Sequence, residues 1–402
     1  MDQRTESDQK AVGVKSYRLP LAITFASSVA TSSGQALLFP VLPVIATDLQ
    51  VDPSEIGLIM VAYTAPSIFL SPAFGVMGDR LSRKWALIIG LLLFGIGGTL
   101  CAFVPSFEWL LVFRTLQGIG FAAAVPQTLT LISDLMSEER EIHGQGWKVV
   151  IDRVAMIVAP IIGGALAVLS WRYAFAPFIS SVALALVALV WMPETTRRGS
   201  ETLRQYLIMN FVAMREPRLR TAFATGFIRF FTDYGLFTYF PLFVALRYGA
   251  GATTAGWLIA VSSVGSILTA ANVGFLHKLM APERFLVVCF VVGAVTLAVL
   301  PLHPPIWAIG AAIFIFGMAN GVLSPVQKSL LTRNTAPAMR GGVIAVDRMI
   351  QQLAKSIAPA IIGLLLLVSE LETVFWSLAA ICLAGALYMA RADYKQRFTA
   401  RH

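Results

Sequence analysis

Three long stretches without a charged side chain constrain this chain before anything else does. Leu19 to Thr47, Ile56 to Gly78 and Trp85 to Phe107 contain no Asp, Glu, Lys or Arg. Each exceeds the roughly 20 residues a helix needs to cross about 30 Å of hydrocarbon. Backbone amides in lipid find no water to bond, so such runs must close their hydrogen bonds internally, as helices. The pattern continues along the chain, whose 402 residues are 57% hydrophobic and 13% charged. A soluble domain carries about a quarter charged residues. The sequence predicts an all-α integral membrane protein embedded in a lipid bilayer.

Apolar windows between charges, prolines and glycines give twelve spans, numbered 1 to 12 in order. They lie at 19–43, 56–78, 85–104, 109–132, 146–168, 173–192, 219–246, 254–277, 285–302, 306–331, 342–368 and 374–391. Residues 1–18 are polar and the run after them is too long for a signal h-region, so no cleavable signal peptide is expected. With the N-terminus in the cytoplasm, 22 basic residues in the termini, the loops and the cytoplasmic span ends fall on that side. Only Arg172 and Arg247 fall on the other. Such a positive-inside bias predicts that both termini are cytoplasmic. The net charge of +9 is then topology plus attraction to anionic headgroups, and implies no nucleic-acid partner.

The two halves of the chain repeat. A shift of 199 residues carries Gly57 onto Gly256, Ser67 onto Ser266, Gly75 onto Gly274, Pro105 onto Pro304, Gly118 onto Gly317, Pro126 onto Pro325 and Pro160 onto Pro359. The expected organisation is a six-helix bundle over 1–192, a cytoplasmic linker over 193–218 and a second six-helix bundle over 219–402. The linker carries Leu203, Tyr206, Leu207, Asn210, Phe211 and Met214 at helical spacing, which reads as an amphipathic helix on the membrane face. Parallel six-helix repeats imply a pseudo-two-fold axis along the membrane normal and a substrate site near mid-bilayer. That architecture suits a transporter working by alternating access.

Against this apolar background, the loop after span 2 places Asp79, Arg80, Arg83 and Lys84 within six positions. Gly75 lies a turn inside the membrane, where a missing side chain lets another helix come close. At the helix end, the Asp79 carboxylate can bond Arg83 and reach the positive N-terminus of a neighbouring helix. Such a charge cluster can act as a conformational latch, made in one state and broken in the other.

The stretch Gly75-Val-Met-Gly-Asp79-Arg80-Leu-Ser-Arg83-Lys84 resembles the loop 2–3 signature of the major facilitator superfamily, with Ser82 where glycine is usual. In span 4, Arg114-Thr-Leu-Gln117-Gly118-Ile-Gly120 is similar to the family's membrane-embedded arginine motif. In span 5, Gly146, Ala155, Ala159, Pro160, Gly163 and Gly164 fall in the register of the packing motif of its twelve-helix drug–proton antiporters, with alanine for glycine at 155 and 159. The resemblance implies a secondary transporter in the bacterial cytoplasmic membrane. It places spans 1, 4, 7 and 10 around the cavity, with 5 and 11 beside them.

Apart from Arg220 and Arg391 at span ends, ten charges fall inside spans, and a charge at a helix centre costs about 2.5–3.5 kcal/mol on insertion scales. They are Arg114, Lys148, Arg153, Arg229, Lys328, Arg348 and Lys355 with Asp152, Asp233 and Asp347. All lie on spans 4, 5, 7, 10 or 11. Arg229 and Asp233 share a face of span 7, as Lys148 and Asp152 do on span 5. Asp233 would lie roughly 18 Å from the cytoplasmic end. Proton coupling needs a buried carboxylate that can be neutral near pH 7 and ionised when its cavity opens. Asp233 is the first candidate and Asp152 the second. The expected cavity set is Arg114, Gln117, Arg229, Asp233, Asn320, Arg348, Gln352 and Lys355.

The leading expectation is a monomeric, proton-coupled exporter of small amphipathic molecules. Seven cations against three acids keep open a carrier of an organic anion such as a siderophore or carboxylate. A ligand-binding membrane sensor without flux is the alternative from another class. The histidines are isolated, and no HExxH, GxSxG or Walker loop occurs, so no enzyme, cofactor or metal site is expected. Cys101, Cys289 and Cys382 sit singly in apolar runs and read as small fillers.

Overall fold

The structure is a computed structural model that describes residues 17–80, 82–194, 219–276, 280–333, 335 and 340–399. The amphipathic linker segment and the side chains of Asp79 and Arg80 lie outside the described residues. All regular structure described is helical. Spans 2 to 5 are Leu58–Arg80, Arg83–Leu100, Phe107–Leu135 and Glu138–Leu169. Spans 7 to 12 are Arg220–Tyr248, Ala252–Ala271, Pro282–Val299, Ile306–Arg333, Arg340–Leu366 and Leu371–Thr399.

Two spans are less regular than their hydropathy suggests. Span 1 runs as Arg18–Ala36, then a 3-10 turn Phe39–Val41 and a short helix Leu42–Asp48. Pro40 and Pro43 lack the N–H that a continuous ladder requires, and each opens a new helical piece at its first turn. Span 6 begins as 3-10 helix over Trp171–Phe178, with Pro177 inside it, before Ile179–Trp191. Span 7 stops at Gly249, whose left-handed φ of 60° turns its N–H back to Ala245 O at 3.1 Å.

Among the described residues, eleven helical segments are long and apolar enough to cross a membrane. Span 7 is the long helix left out, and it is the one that carries Arg229 and Asp233. Large apolar side chains face outward along the spans, among them Phe69, Val190, Leu364 and Val368. Trp85, Trp109, Trp191, Trp257, Trp307 and Trp376 are exposed near helix ends, where an amphipathic indole suits the headgroup layer. Trp171 differs: it is buried, and its Nε1–H donates to Asp48 at 2.6 Å.

By internal contacts the chain forms two compact units. The first draws on Met1–Gly34, Pro66–Ala155 and Phe175–Leu203; the second on Gln35–Ala65, Met156–Ala174 and Arg204–His402. In the first unit Ile23, Leu87, Leu91, Ala124, Leu131, Ala185 and Ala188 form an apolar core. Spans 3 and 4 meet there backbone to backbone, since a Cβ on Gly120 would stand 2.2 Å from Phe94 N. Spans 8 and 10 do the same in the second unit, where a Cβ on Gly317 would stand 2.0 Å from Ser262 O. Lipid is as apolar as Leu, so helices in a bilayer associate through such close packing, which only small residues allow.

The backbone atoms facing Gly317 cannot rotate away as a side chain could. Gly317→Leu is therefore expected to lose about 1–3 kcal/mol or more of stability, seen as a lower unfolding midpoint in detergent. Gly75→Ala should not lower that midpoint, because nothing stands within 4 Å of the added carbon and alanine favours the helix.

Candidate functional site

The second unit holds a cluster of polar and aromatic side chains built on span 7. Helical spacing puts Arg229 and Asp233 one turn apart, with Phe230 and Tyr234 stepping beside them. Arg229 is buried, and its Nε–H donates to Asn320 Oδ1 of span 10 at 3.2 Å. Its guanidinium carbon lies 4.6 Å from the centre of the Phe230 ring. Lys355 of span 11 reaches the same ring, its Nζ 4.8 Å from the Phe230 centre and 5.2 Å from that of Tyr234. Arg229 repels that ammonium and Asp233 attracts it. The Tyr234 hydroxyl donates to Gln35 Oε1 of span 1. Phe39, in the irregular end of span 1, packs edge-on to Tyr234 at 5.8 Å and tilted against Phe237 at 5.9 Å.

Toward the basic-loop side of the same unit lies Asp347, 4% exposed. It accepts from Gln327 Nε2 on Oδ1 at 2.7 Å and from Gln351 Nε2 on Oδ2 at 2.6 Å. A Cβ on Gly226 would meet Gln327 Nε2 at 2.4 Å and Asp347 Oδ1 at 3.1 Å, so the missing side chain makes room for both. The structure thus joins Arg229, Asp233, Asn320 and Lys355 of the expected cavity set. Gln352 is half-buried and Arg348 exposed on span 11.

The first unit distributes its polar groups differently. Arg114 and Gln117 are each 0% exposed, and Arg114 Nη1 donates to Gln117 Oε1 at 2.6 Å. Expected to line a cavity, they are sealed among spans 3 and 4 and offer a ligand no surface in this conformation. Lys148 pairs with Asp152 at 2.7 Å as its spacing predicts, and Ser28 of span 1 donates to the other carboxylate oxygen at 2.6 Å. Arg83 is buried and binds Asp134 at 2.5 Å and Thr130 O at 3.3 Å, both at the end of span 4. Lys84 beside it is half-buried. Two glycines stand apart from the expectation. Gly75 and the exposed Gly146 have nothing within 4 Å of a built Cβ, while at Gly78 that atom would meet Gln127 Oε1 at 2.4 Å. The close approach falls one turn later on span 2, where Gln127 also donates to Phe74 O at 3.0 Å.

Pro160, Gly163 and Gly164 of span 5 do pack tightly, within the second unit. A Cβ on Gly163 would stand 1.9 Å from Leu37 O, and one on Gly164 2.5 Å from Ala252 O. A Cβ on Gly256 would likewise stand 2.3 Å from Pro160 O. The loop between spans 1 and 2 is seated similarly: a Cβ on Gly57 would meet Tyr239 Oη at 2.4 Å and Pro359 O at 2.7 Å. Ser54 donates to Asp52 Oδ1 from its amide at 2.8 Å and its hydroxyl at 2.6 Å, holding that carboxyl below its usual value. One turn into span 2, Ser356 Oγ donates to Thr64 Oγ1 at 2.7 Å. Thus the ends of spans 1, 2 and 5 that face away from the basic loops are fastened to spans 7, 8 and 11.

The sequence profile described as the Major Facilitator Superfamily matches residues 24–251 and 222–400. The multidrug efflux protein YfmO of Bacillus subtilis (strain 168) is 26% identical over 381 residues, covering 91% of this chain and 90% of that protein. The quinolone resistance protein NorA of Staphylococcus aureus (strain MRSA252) is 24% identical over 382 residues, covering 90% and 95%. In fold, a crystal structure of the nucleoside transporter NupG superposes with a TM-score of 0.79 over 93% of this chain and 99% of that one, at 12% identity.

Removing the Asp347 carboxylate would leave the buried Gln327 amide without its acceptor. Asp347→Ala is expected to lose about 1–3 kcal/mol of stability. Asp347→Asn, which keeps one acceptor oxygen, should lose clearly less. Unfolding midpoints of the two variants in one detergent make the comparison.

Proposed function

The chain belongs to the Major Facilitator Superfamily, and we propose that it exports small amphipathic compounds by alternating access, driven by protons. It is a multi-pass membrane transporter and not an enzyme. The observation that carries the finer reading is the span 7 cluster. Charged groups deep in a membrane protein need a partner, a water cavity or a function. Here Arg229, Asp233 and Lys355 gather in one cluster beside the Phe230 and Tyr234 rings. The rings supply apolar walls for the body of a ligand, and the polar groups orient its head. Two relatives named for efflux and drug resistance, each similar along nine-tenths of this chain, support the direction of transport.

In this reading Asp233 carries the proton and Asp152 is the second candidate. The charges at Asp79, Arg80, Arg83 and Lys84 latch the cytoplasmic side, with Asp134 as a further member through Arg83. Two six-helix bundles joined by the 193–218 linker rock against each other, both termini lie in the cytoplasm, and the protein works as a monomer in the bacterial cytoplasmic membrane. Alternating access also requires the fastened ends of spans 1, 2 and 5 to leave spans 7, 8 and 11 in each cycle. Hydroxyl contacts and glycine seats are suited to that, since they separate without stranding a charge.

Asp233→Asn is expected to abolish flux driven by an imposed pH gradient in proteoliposomes while the protein stays folded. Wild-type coupling in that variant would remove Asp233 from the role. With cysteines at Thr64 and Ser356, whose hydroxyl oxygens lie 2.7 Å apart, a disulfide should stop flux and a reductant should restore it. Undiminished flux in the crosslinked protein would rule out separation of spans 2 and 11 during transport.

A further inference from the structure

We propose that the span 7 cluster selects a ring-bearing organic monoanion, such as an aromatic carboxylate or phenolate, with Lys355 holding its negative charge. This rests on reading the cluster as the substrate site of an exporter and names the substrate class that the site takes.

Three features of the cluster point the same way. First, its charges do not balance: Lys355 feels Arg229 and Asp233, and Asp347 feels Lys328, Arg229 and Arg348, which sets four cations against two acids. Second, the Lys355 ammonium has three N–H donors, yet its contacts are the faces of Phe230 and Tyr234. Among the described residues no carboxylate lies within ion-pair distance of it. A ring face attracts the charge without accepting a directed hydrogen bond as an oxygen does, so an anionic oxygen would meet donors already in place. Third, an organic cation would find the Phe230 and Tyr234 faces already taken by Lys355 and Arg229, and would be repelled by both. The half-buried ring of Phe237 remains to pack against an aromatic body.

Probes that share the naphthyl ring and differ in the charged head test this on the purified full-length protein: 1-naphthoate, neutral 1-naphthamide and 1-naphthylmethylammonium. Wild-type protein is expected to bind naphthoate at least ten-fold tighter than naphthamide, and the ammonium more weakly than either. Lys355→Gln should bring naphthoate down to the level of the amide, and Lys355→Arg should restore the preference. Equal or tighter binding of the ammonium probe to wild-type protein would overturn the proposal. So would binding of none of the three, or an anion preference that survives in Lys355→Gln. The wild-type ranking decides alone if the glutamine variant does not fold. Proteoliposome flux separates this from the exporter reading. Naphthoate bound but never moved would sink transport of this class and leave the anion site standing. Proton-driven flux of the ammonium probe without naphthoate binding would do the reverse.

Discussion

A polar group inside a bilayer has only other protein groups to bond, and the structure of this chain follows from that one restriction. Backbone amides answer it by forming helices throughout the described spans. Hydroxyl side chains answer it locally: Thr24, Ser27, Thr31, Thr64 and Thr232 each donate to a carbonyl four residues back on their own helix. Such residues can be carried through a membrane without specifying a neighbour. Charged and amide side chains reach farther and cannot be satisfied this way, so they draw particular helices together. Lys148, Asp152 and Ser28 join spans 5 and 1, and Asp347, Gln327 and Gln351 join spans 11 and 10.

Association of the helices then depends on shape. With no gain in burying Leu against Leu when lipid is the alternative, contact is strongest where side chains are absent. The seats at Gly120, Gly163 and Gly317 bring backbone to backbone. Those at Gly57, Gly163, Gly164 and Gly256 lie along the surface that alternating access would have to open. The same absence of side chains permits a tight seal with no ion pair at these glycine seats. The ion pairs that are costly to break, Arg83 with Asp134 and Lys148 with Asp152, lie inside the first unit.

Local spacing made part of the site readable. A four-residue interval on a helix fixes a shared face, so Lys148 with Asp152 and Arg229 beside Asp233 follow from the sequence. Asn320, Arg348, Gln352 and Lys355 on spans 10 and 11 were legible too, but the hold of Gln327 and Gln351 on Asp347 was not, because that depends on how two distant helices pack. Arg83 with Asp134 and Tyr234 with Gln35 have no local signature at all. For Arg114 and Gln117 a motif identified the residues, while their burial against span 3 has no record in it. The displaced glycine, Gly78 in place of Gly75, reflects a difference of one helical turn that only the position of Gln127 resolves.

The sequence by itself determined the membrane, the number of crossings, the internal repeat and the short list of residues too polar to be there idly. These follow from transfer energies and helix periodicity, which act on each segment separately. The tertiary structure decided which of those residues meet. It gathered Arg229, Lys355 and Asn320 around Phe230 and Tyr234, buried Arg114 completely, and fastened three first-half helix ends to helices of the second half. Those outcomes belong to packing between segments far apart in the chain, where a turn of helix or a missing side chain decides the partner and no local pattern records it.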